Sequence, residues 1–312
     1  MEKEVNNIVS WYQKNKRLLP WRLDKNPYHV WISEIMLQQT RIEAVIGYYH
    51  RFLNKIPNIQ DLANIEEDEL LKLWEGLGYY NRARNLKKAA IIIMNEYDGI
   101  FPCNFEDIIK LPGIGEYTAS AIASICFNES TPTIDGNVLR VYTRFYNSSE
   151  NIDSSSTRKN IRNHLTKVIP KDAGDFNEGL MELGEVICLP AGTPKCESCP
   201  LNNACKSYKN KNWEEFPIKN KKTKQKIFSY TVFIYRYKNT YAVEKRVNKT
   251  LLNNMWQFPN INNHLTLKGV KEYLMKENIS YKKIKKSVSY KHIFTHQIWE
   301  MKTYLIDVLE KN

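Results

Sequence analysis

The chain has 312 residues, enough for two ordinary domains with real cores. Its 46 Lys and Arg against 34 Asp and Glu give a formal charge of +12, which favours an anionic partner. No apolar run approaches the roughly 20 residues a spanning helix needs, and the opening MEKEVNNIVSWYQKNKR has no apolar core of signal-peptide type. Charge alone leaves DNA, RNA and acidic membranes eligible, while the missing span and leader lead us to expect a soluble, cytoplasmic protein, and no membrane partner is expected.

From the start to about residue 187 the pattern is helical. Val5, Ile8, Val9 and Tyr12 make one apolar face, Ile42, Val45, Ile46, Tyr49 and Phe52 a second, and Leu86, Ala89, Ala90, Ile93 and Tyr97 a third. Pro, Gly and Asn punctuate them at 57, 76–78, 99–102 and 147–156, so an all-α module of eight to ten helices is expected. Within it, residues 18–40 read LLPWRLDKNPYHVWISEIMLQQT and set Glu34 among Val30, Trp31, Ile32, Ile35, Met36 and Leu37. A carboxyl desolvated in that setting has a raised pKa and is a general-acid candidate. The alternative is a glutamate on the polar side of an amphipathic helix.

Residues 111–137, LPGIGEYTASAIASICFNESTPTIDGN, read as a helix end, a turn holding Gly113 and Gly115, a second helix, and a loop delivering Asp135 to the start of a third. Such a turn exposes successive amides at the positive end of a helix dipole and can cradle a phosphate. It lacks the Lys-Ser/Thr ending of a P-loop, so a helix-hairpin-helix gripping a nucleic-acid backbone is the better reading, with an ordinary turn between packed helices as the alternative. Asp135 reads as an N-cap for a helix over 136–145, where it should stay ionised. An acid in an apolar setting and an ionised partner at a helix N-terminus match the division of labour in glycosidic cleavage.

A last amphipathic helix over 176–187 feeds four cysteines, Cys188, Cys196, Cys199 and Cys205, spaced C-x7-C-x2-C-x5-C. Four thiolates so crowded can surround a zinc ion or a 4Fe-4S cluster. Zinc sites favour two C-x-x-C knuckles; only Cys196 and Cys199 form one here, which tilts the reading to iron-sulfur. A rigid loop there would bring Lys195 and Lys206 to phosphates. The stretch 213–227 reads as an exposed basic linker between a helical domain over 1–212 and a second domain over 228–312. The second domain is α+β: a β-hairpin from FSYTVFIYRY and TYAVEKR, a helix over 267–277, and strands over 287–292 and 297–307.

The segments LPWR, PYHVWISEIMLQQT, GLGYYNRARNL, LPGIGEYTASAI, TIDGNVLRV and FNEGLMELG, in this order and followed by the four cysteines, resemble the adenine DNA glycosylases of the MutY type. That family belongs to the helix-hairpin-helix superfamily it shares with endonuclease-three-type enzymes. LLNNMWQFP and YKHIFTHQIW are similar to its C-terminal 8-oxoguanine-reading domain, a relative of the Nudix fold. The resemblance implies a multi-domain chain: an all-α helix-hairpin-helix glycosylase module with a 4Fe-4S cluster loop, then an α+β Nudix-like domain. It implies a monomer that flips adenine out of duplex DNA, opposite 8-oxoguanine or guanine, and hydrolyses its glycosidic bond.

On that resemblance Glu34 is the acid that protonates N7 of adenine, and Asp135 stabilises the oxocarbenium-like sugar. Tyr117 and Asn137 stand beside them, and Arg22 and Glu178 hold the base. Tyr117 occupies the place of the lysine that makes endonuclease-three-type enzymes β-lyases, so a monofunctional enzyme is expected. Gln39 and Tyr79 wedge into the duplex, with Thr40, Leu77, Gly113 and Gly115 also at the DNA. Phe294, Thr295 and His296 match the loop that touches 8-oxoguanine, Thr295 standing where Ser is common but keeping its hydroxyl. The first cysteine interval is seven residues where many members have six. No glutamate-rich Nudix catalytic box is present, so the second domain is expected to read a base and hydrolyse nothing.

Overall fold

Helical periodicity in the first two-thirds of the chain becomes twelve α-helices in the computed structural model, which describes residues 1–220, 224–247 and 251–310. They are α1 (Val5–Asn15), α2 (Pro27–Leu37), α3 (Ile42–Lys55), α4 (Ile59–Asn64), α5 (Glu67–Leu73), α6 (Asn81–Glu96), α7 (Phe105–Ile108), α8 (Glu116–Phe127), α9 (Gly136–Tyr146), α10 (Ser155–Val168), α11 (Ala173–Val186) and α12 (Lys206–Asn210). The number exceeds the eight to ten expected because α4, α5, α7 and α12 span at most seven residues. Two turns are too few to display a 3.6-residue period. None of the described helices is long and apolar enough to cross a membrane.

Two of the helices are apolar all round and form the interior. In α2, Tyr28 and every residue from 30 to 36 are buried, and in α8 every residue from 118 to 125 is. A helix without a polar face cannot lie on a surface, so Glu34 goes inside with its neighbours. One core cluster gathers around Trp31, Phe52, Trp74 and Ala119, and another around Ile8, Val138, Phe176 and Leu183. The turn before α8 is built as its glycines suggest. Gly113 has φ +80°, and a Cβ there would lie 2.7 Å from Cβ of Asn85.

The chain divides into compact units at Asn220 and Lys221. The stretch expected as a linker from residue 213 therefore splits. Phe216 is buried and its carbonyl accepts from Arg144 Nε at 3.1 Å, while Ile218 O accepts from Ile152 N at 3.0 Å. The aromatic among the charges gives this segment something to bury, while the Ile218 side chain stays exposed and only its backbone is tied down. Lys221, Lys222 and Thr223 of the same stretch lie outside the described residues.

The second unit holds β1 (Lys226–Tyr237), β2 (Thr240–Tyr241), β3 (Glu244–Lys245), β4 (Trp256–Gln257), β5 (Asn260–Ile261), α13 (Leu267–Lys276), β6 (Tyr281–Ile293) and β7 (Gln297–Val308). The main sheet runs β2-β1-β7-β6, with β5 also on β1, and β3 and β4 form a separate pair. The expected β1 hairpin is present in shortened form, Arg236 facing Tyr241 and Tyr237 facing Thr240. The long partner of β1 is β7, in parallel, with Val232 opposite Thr303. Helix α13 covers the sheet through Val270 and Leu274, packed with Phe233, Tyr304 and Ile306; the Phe233 and Tyr273 rings stack at 4.8 Å.

Candidate active site

A cavity of about 630 Å³ opens in the helical unit, lined from α2 by Ser33, Glu34 and Leu37, from α8 by Tyr117 and Ile125, from the start of α9 by Asp135, Asn137 and Arg140, and from α11 by Glu178, Met181 and Glu182. Its size suits a base-sized ligand with room to spare. Glu34, Asp135, Tyr117, Asn137, Arg22, Glu178 and Thr40, distant in sequence, all reach it.

Glu34 is only 7% exposed. Burial pushes its carboxyl up to about 7; a hydrogen bond with Tyr117 opposes the rise, and the charges of Glu178 and Asp135 add to it. Near neutral pH such a group can deliver a proton. The Tyr117 hydroxyl also lies 3.3 Å from Met181 Sδ, and burial first, then Glu34, drives its own pKa far up, so it stays a donor. Helix α8 places no amine at this point of the cavity.

Asp135 caps α9 as the sequence suggested, its Oδ1 accepting from Val138 N at 2.7 Å and its Oδ2 from Asn137 Nδ2 at 2.9 Å. The cap is not the only influence on this carboxyl. Burial raises its pKa, and the Val138 and Asn137 bonds offset only part of that rise. Asn137 is in turn gripped from behind: its Oδ1 accepts from Arg140 Nη2 at 2.8 Å, and the same nitrogen reaches Gly184 O at 2.6 Å. Gly184 must be glycine for α9 and α11 to meet here, since a Cβ would stand 2.5 Å from Cβ of Asn137.

The opposite side of the cavity is a lattice of ion pairs that the sequence did not disclose. Glu182, fully buried at its side chain, accepts from Arg17 Nε at 2.6 Å, Arg17 Nη2 at 2.8 Å and Arg22 Nη2 at 2.9 Å. Burial alone would raise its pKa, but the bonds from Arg17 and Arg22 overcome it and hold the carboxyl at about 2. Arg17 also pairs with Glu185, and Arg22 Nε donates to Glu178 Oε1 at 3.0 Å while its guanidinium lies over the Tyr12 ring. Arg22 and Glu178, expected to hold a base, are thus bonded to each other. Arg17, Glu182 and Glu185 carried one signal only, the repeated glutamates of EGLMELGE at helical spacing.

The residues expected at a duplex lie on two turns. Gln39 and Tyr79, both exposed, have φ of +59° and +48°, and Tyr79 follows Gly78 at +69°. Leu77, also expected at the DNA, has its side chain buried in the first core cluster, its amide bonded to Trp74 O and its carbonyl to Arg82. Gly115 caps α8 with an extended backbone and nothing near its Cα face.

Cys188, Cys196, Cys199 and Cys205 line one small cavity beside Arg144, whose Nη1 donates to Cys188 Sγ at 3.4 Å. As they stand, no three or more of the described His, Cys, Asp or Glu side chains are drawn together as a metal site. The donor set is nonetheless four soft sulfurs facing one space, the set that iron-sulfur clusters take. Burial pushes the Cys199 thiol up to about 12, the neighbouring sulfurs adding to it. A bound cation reverses that balance and takes the thiols as thiolates. Arg140 Nε also donates to Cys188 O at 2.8 Å, so one arginine touches both the cysteine loop and Asn137.

In the second unit Phe294, Thr295 and His296 form the turn between β6 and β7, closed by Phe294 N to Gln297 O at 2.8 Å. The Phe294 ring packs edge-on against Trp299 at 4.9 Å and His292 at 4.3 Å, while Thr295 and His296 are exposed.

Residues 32–171 match the family described as HhH-GPD superfamily base excision DNA repair protein, and residues 230–312 match the NUDIX domain. The helical module is 31% identical to a thermostable thymine-DNA glycosylase of known structure, with a TM-score of 0.60 over 66% of this chain and 95% of that one. A trapped endonuclease III–DNA covalent intermediate, at 24% identity and a TM-score of 0.57, shares the fold. The chain is therefore built as a helix-hairpin-helix base-excision glycosylase followed by a Nudix-like domain. It is 41% identical to the adenine DNA glycosylase of Buchnera aphidicola subsp. Acyrthosiphon pisum, over 82% of this chain and 73% of that relative. Against the Homo sapiens adenine DNA glycosylase it is 40% identical, over 64% of this chain and 38% of the longer relative. The chain belongs to the adenine DNA glycosylase family.

Proposed function

We propose that this protein binds duplex DNA and excises adenine paired with 8-oxoguanine or guanine, hydrolysing the glycosidic bond and leaving the strand intact. The observation that carries this reading is the pairing, in one cavity with room for a base, of Glu34 at a pKa of about 7 with Asp135 at the N-terminus of α9.

Adenine is a poor leaving group as an anion, so the reaction waits on a proton. Glu34 gives its proton to N7, the C1′–N9 bond breaks with its electron pair going to the base, and neutral adenine departs. The positive charge left on the sugar meets the Asp135 carboxylate, which Asn137 orients. Water then adds to C1′, and the proton it sheds returns to a carboxylate. With Tyr117 where a lyase has its lysine, no Schiff base forms and the phosphodiester survives. Arg22 and Glu178, bonded to each other across the pocket wall, offer one donor face and one acceptor face to the base edge.

Gln39, Thr40 and Tyr79 fill the gap left by the flipped nucleotide, and the Gly113 to Gly115 turn takes a phosphate at the start of α8. Phe294, Thr295 and His296 read 8-oxoguanine, one ring stacking and two polar groups bonding. Cys188, Cys196, Cys199 and Cys205 hold a 4Fe-4S cluster, which stiffens the loop that presents Lys195 and Lys206 and takes no part in the bond cleavage. The protein acts as a monomer of two domains, the boundary falling in 213–227.

Single-turnover excision from duplexes with adenine opposite 8-oxoguanine, guanine and thymine tests the reading. Excision in the first two and little in the third is expected, with strand breaks appearing only after alkali. Equal rates on all three, or breaks before alkali, would overturn it. Iron and sulfide analysis giving four of each per chain is expected for the cluster; stoichiometric zinc would replace it.

A further inference from the structure

One guanidinium holds two separate turns. Arg82, in the first turn of α6, donates through Nη1 to Ile35 O at 2.6 Å, Met36 O at 3.1 Å and Gln38 O at 2.7 Å. Through Nη2 it donates to Leu77 O at 3.1 Å and Gly78 O at 3.3 Å. The first three carbonyls end α2, where a helix leaves its acceptors without partners, and a cation is favoured there by the helix dipole. The other two belong to the turn that carries Tyr79. The same guanidinium lies 5.4 Å from the centre of the buried Trp74 ring and 5.5 Å from that of Tyr79, and the Trp74 indole donates to Gly78 O at 3.0 Å.

Gln39 and Tyr79, both exposed on these turns, are held at positive φ, a conformation uncommon for side-chain-bearing residues. The side chain common to the two turns is Arg82. It lines no part of the cavity containing Glu34 and Asp135.

We propose that Arg82 is a positioning residue that locks the 38–40 turn to the 76–80 turn, so that Gln39 and Tyr79 enter DNA as one rigid two-pronged wedge. This rests on reading those two residues as the ones that fill the gap in the duplex. Arginine is needed for the task because its fork spans carbonyls of both turns at once, whereas a lysine ammonium is a single point on a flexible stem. The lock acts on the opening of the duplex and leaves the bond cleavage to the cavity.

The test is a double-mutant cycle of Arg82→Lys and Tyr79→Ala, read by single-turnover excision from adenine opposite 8-oxoguanine, below the melting temperature of each variant. A second substrate carries the adenine already unpaired in an internal loop, where little unstacking remains to be done. Each single variant is expected to slow excision from the paired duplex by about tenfold or more, the scale of lost charge-assisted hydrogen bonds or one lost stack. The double variant should be no slower than the slower single, and all should approach the wild-type rate on the looped substrate. Trp74→Phe, which removes the indole donor to Gly78 together with part of the buried ring beside Arg82, should slow the paired duplex less and add nothing to Tyr79→Ala. It supplies the cycle if Arg82→Lys does not fold.

Slow Tyr79→Ala beside an unaffected Arg82→Lys would overturn the proposal and leave the wedge reading standing. Multiplicative effects, or slow Arg82→Lys on the looped substrate as well, would assign Arg82 to general stability instead. If Tyr79→Ala and Gln39→Ala both excise at the wild-type rate, the wedge reading itself fails and the lock with it.

Discussion

The two walls of the cavity solve opposite electrostatic problems with the same residue type. On one wall Glu34 is buried without a positive partner in hydrogen-bonding contact, and its carboxyl rises to about 7. On the other, Glu182 is buried just as deeply but between Arg17 and Arg22, and is held at about 2. Burial is common to both, so the difference lies in the counter-charges. One glutamate is kept able to carry a proton, the other is kept a permanent anion that fixes two arginines. The contrast shows how a single pocket can contain an acid and a rigid charged wall without either quenching the other.

That contrast can be broken from either side. The largest effect is expected at the group that faces the reacting sugar: Asp135→Asn should lower single-turnover excision by about a thousandfold, within the range for a lost charged catalytic group. Retained activity would remove Asp135 from the chemistry.

Next is Glu182→Gln, which leaves Arg17 and Arg22 without their shared buried anion. Thermal or denaturant unfolding should show destabilisation of about 3 kcal/mol. Glu185→Gln, an exposed partner of Arg17 alone, should cost about 1 kcal/mol or less in the same assay. Equal losses would mean that the lattice is not organised around Glu182.

The pH profile comes third. Glu34 acts in its protonated form and its pKa is raised, so excision is expected to hold just below about pH 7 and fall by about tenfold per unit above it, with a separate loss at acid pH where Asp135, which acts as the carboxylate and whose pKa burial raises, takes up a proton. An acid at the ordinary carboxylate value would put the fall near pH 4 to 5, about where free Glu titrates. The smallest effect belongs to the second unit. Phe294→Ala should cost about tenfold in preference for 8-oxoguanine over guanine, one stacking contact's worth, with the rate on the guanine pair nearly unchanged.

What the sequence disclosed follows from the range of the interactions involved. Glu34 was legible because its apolar neighbours on α2 carry the whole helix, and the carboxyl with it, into the interior, and the Gly113 turn because its backbone demand is local. Asp135 was half legible: the cap is written in the order Asp-Gly-Asn, but the burial that raises its pKa comes from packing of α9 against α11. Glu182 and Arg17 stand 165 residues apart, and Arg82 reaches carbonyls 44 to 47 residues away, so neither link has a local pattern. In the second unit alternation revealed β1 and β7 as strands without saying that they pair in parallel, because period two marks a face and not a partner.

The most direct measurement is single-turnover excision by Glu34→Gln from duplex with adenine opposite 8-oxoguanine, run beside equilibrium binding to the same duplex. The amide fills the same space and cannot donate the proton. Excision should be abolished while binding stays close to that of the unaltered protein. Excision at the wild-type rate by Glu34→Gln would contradict the assignment of Glu34 as the acid.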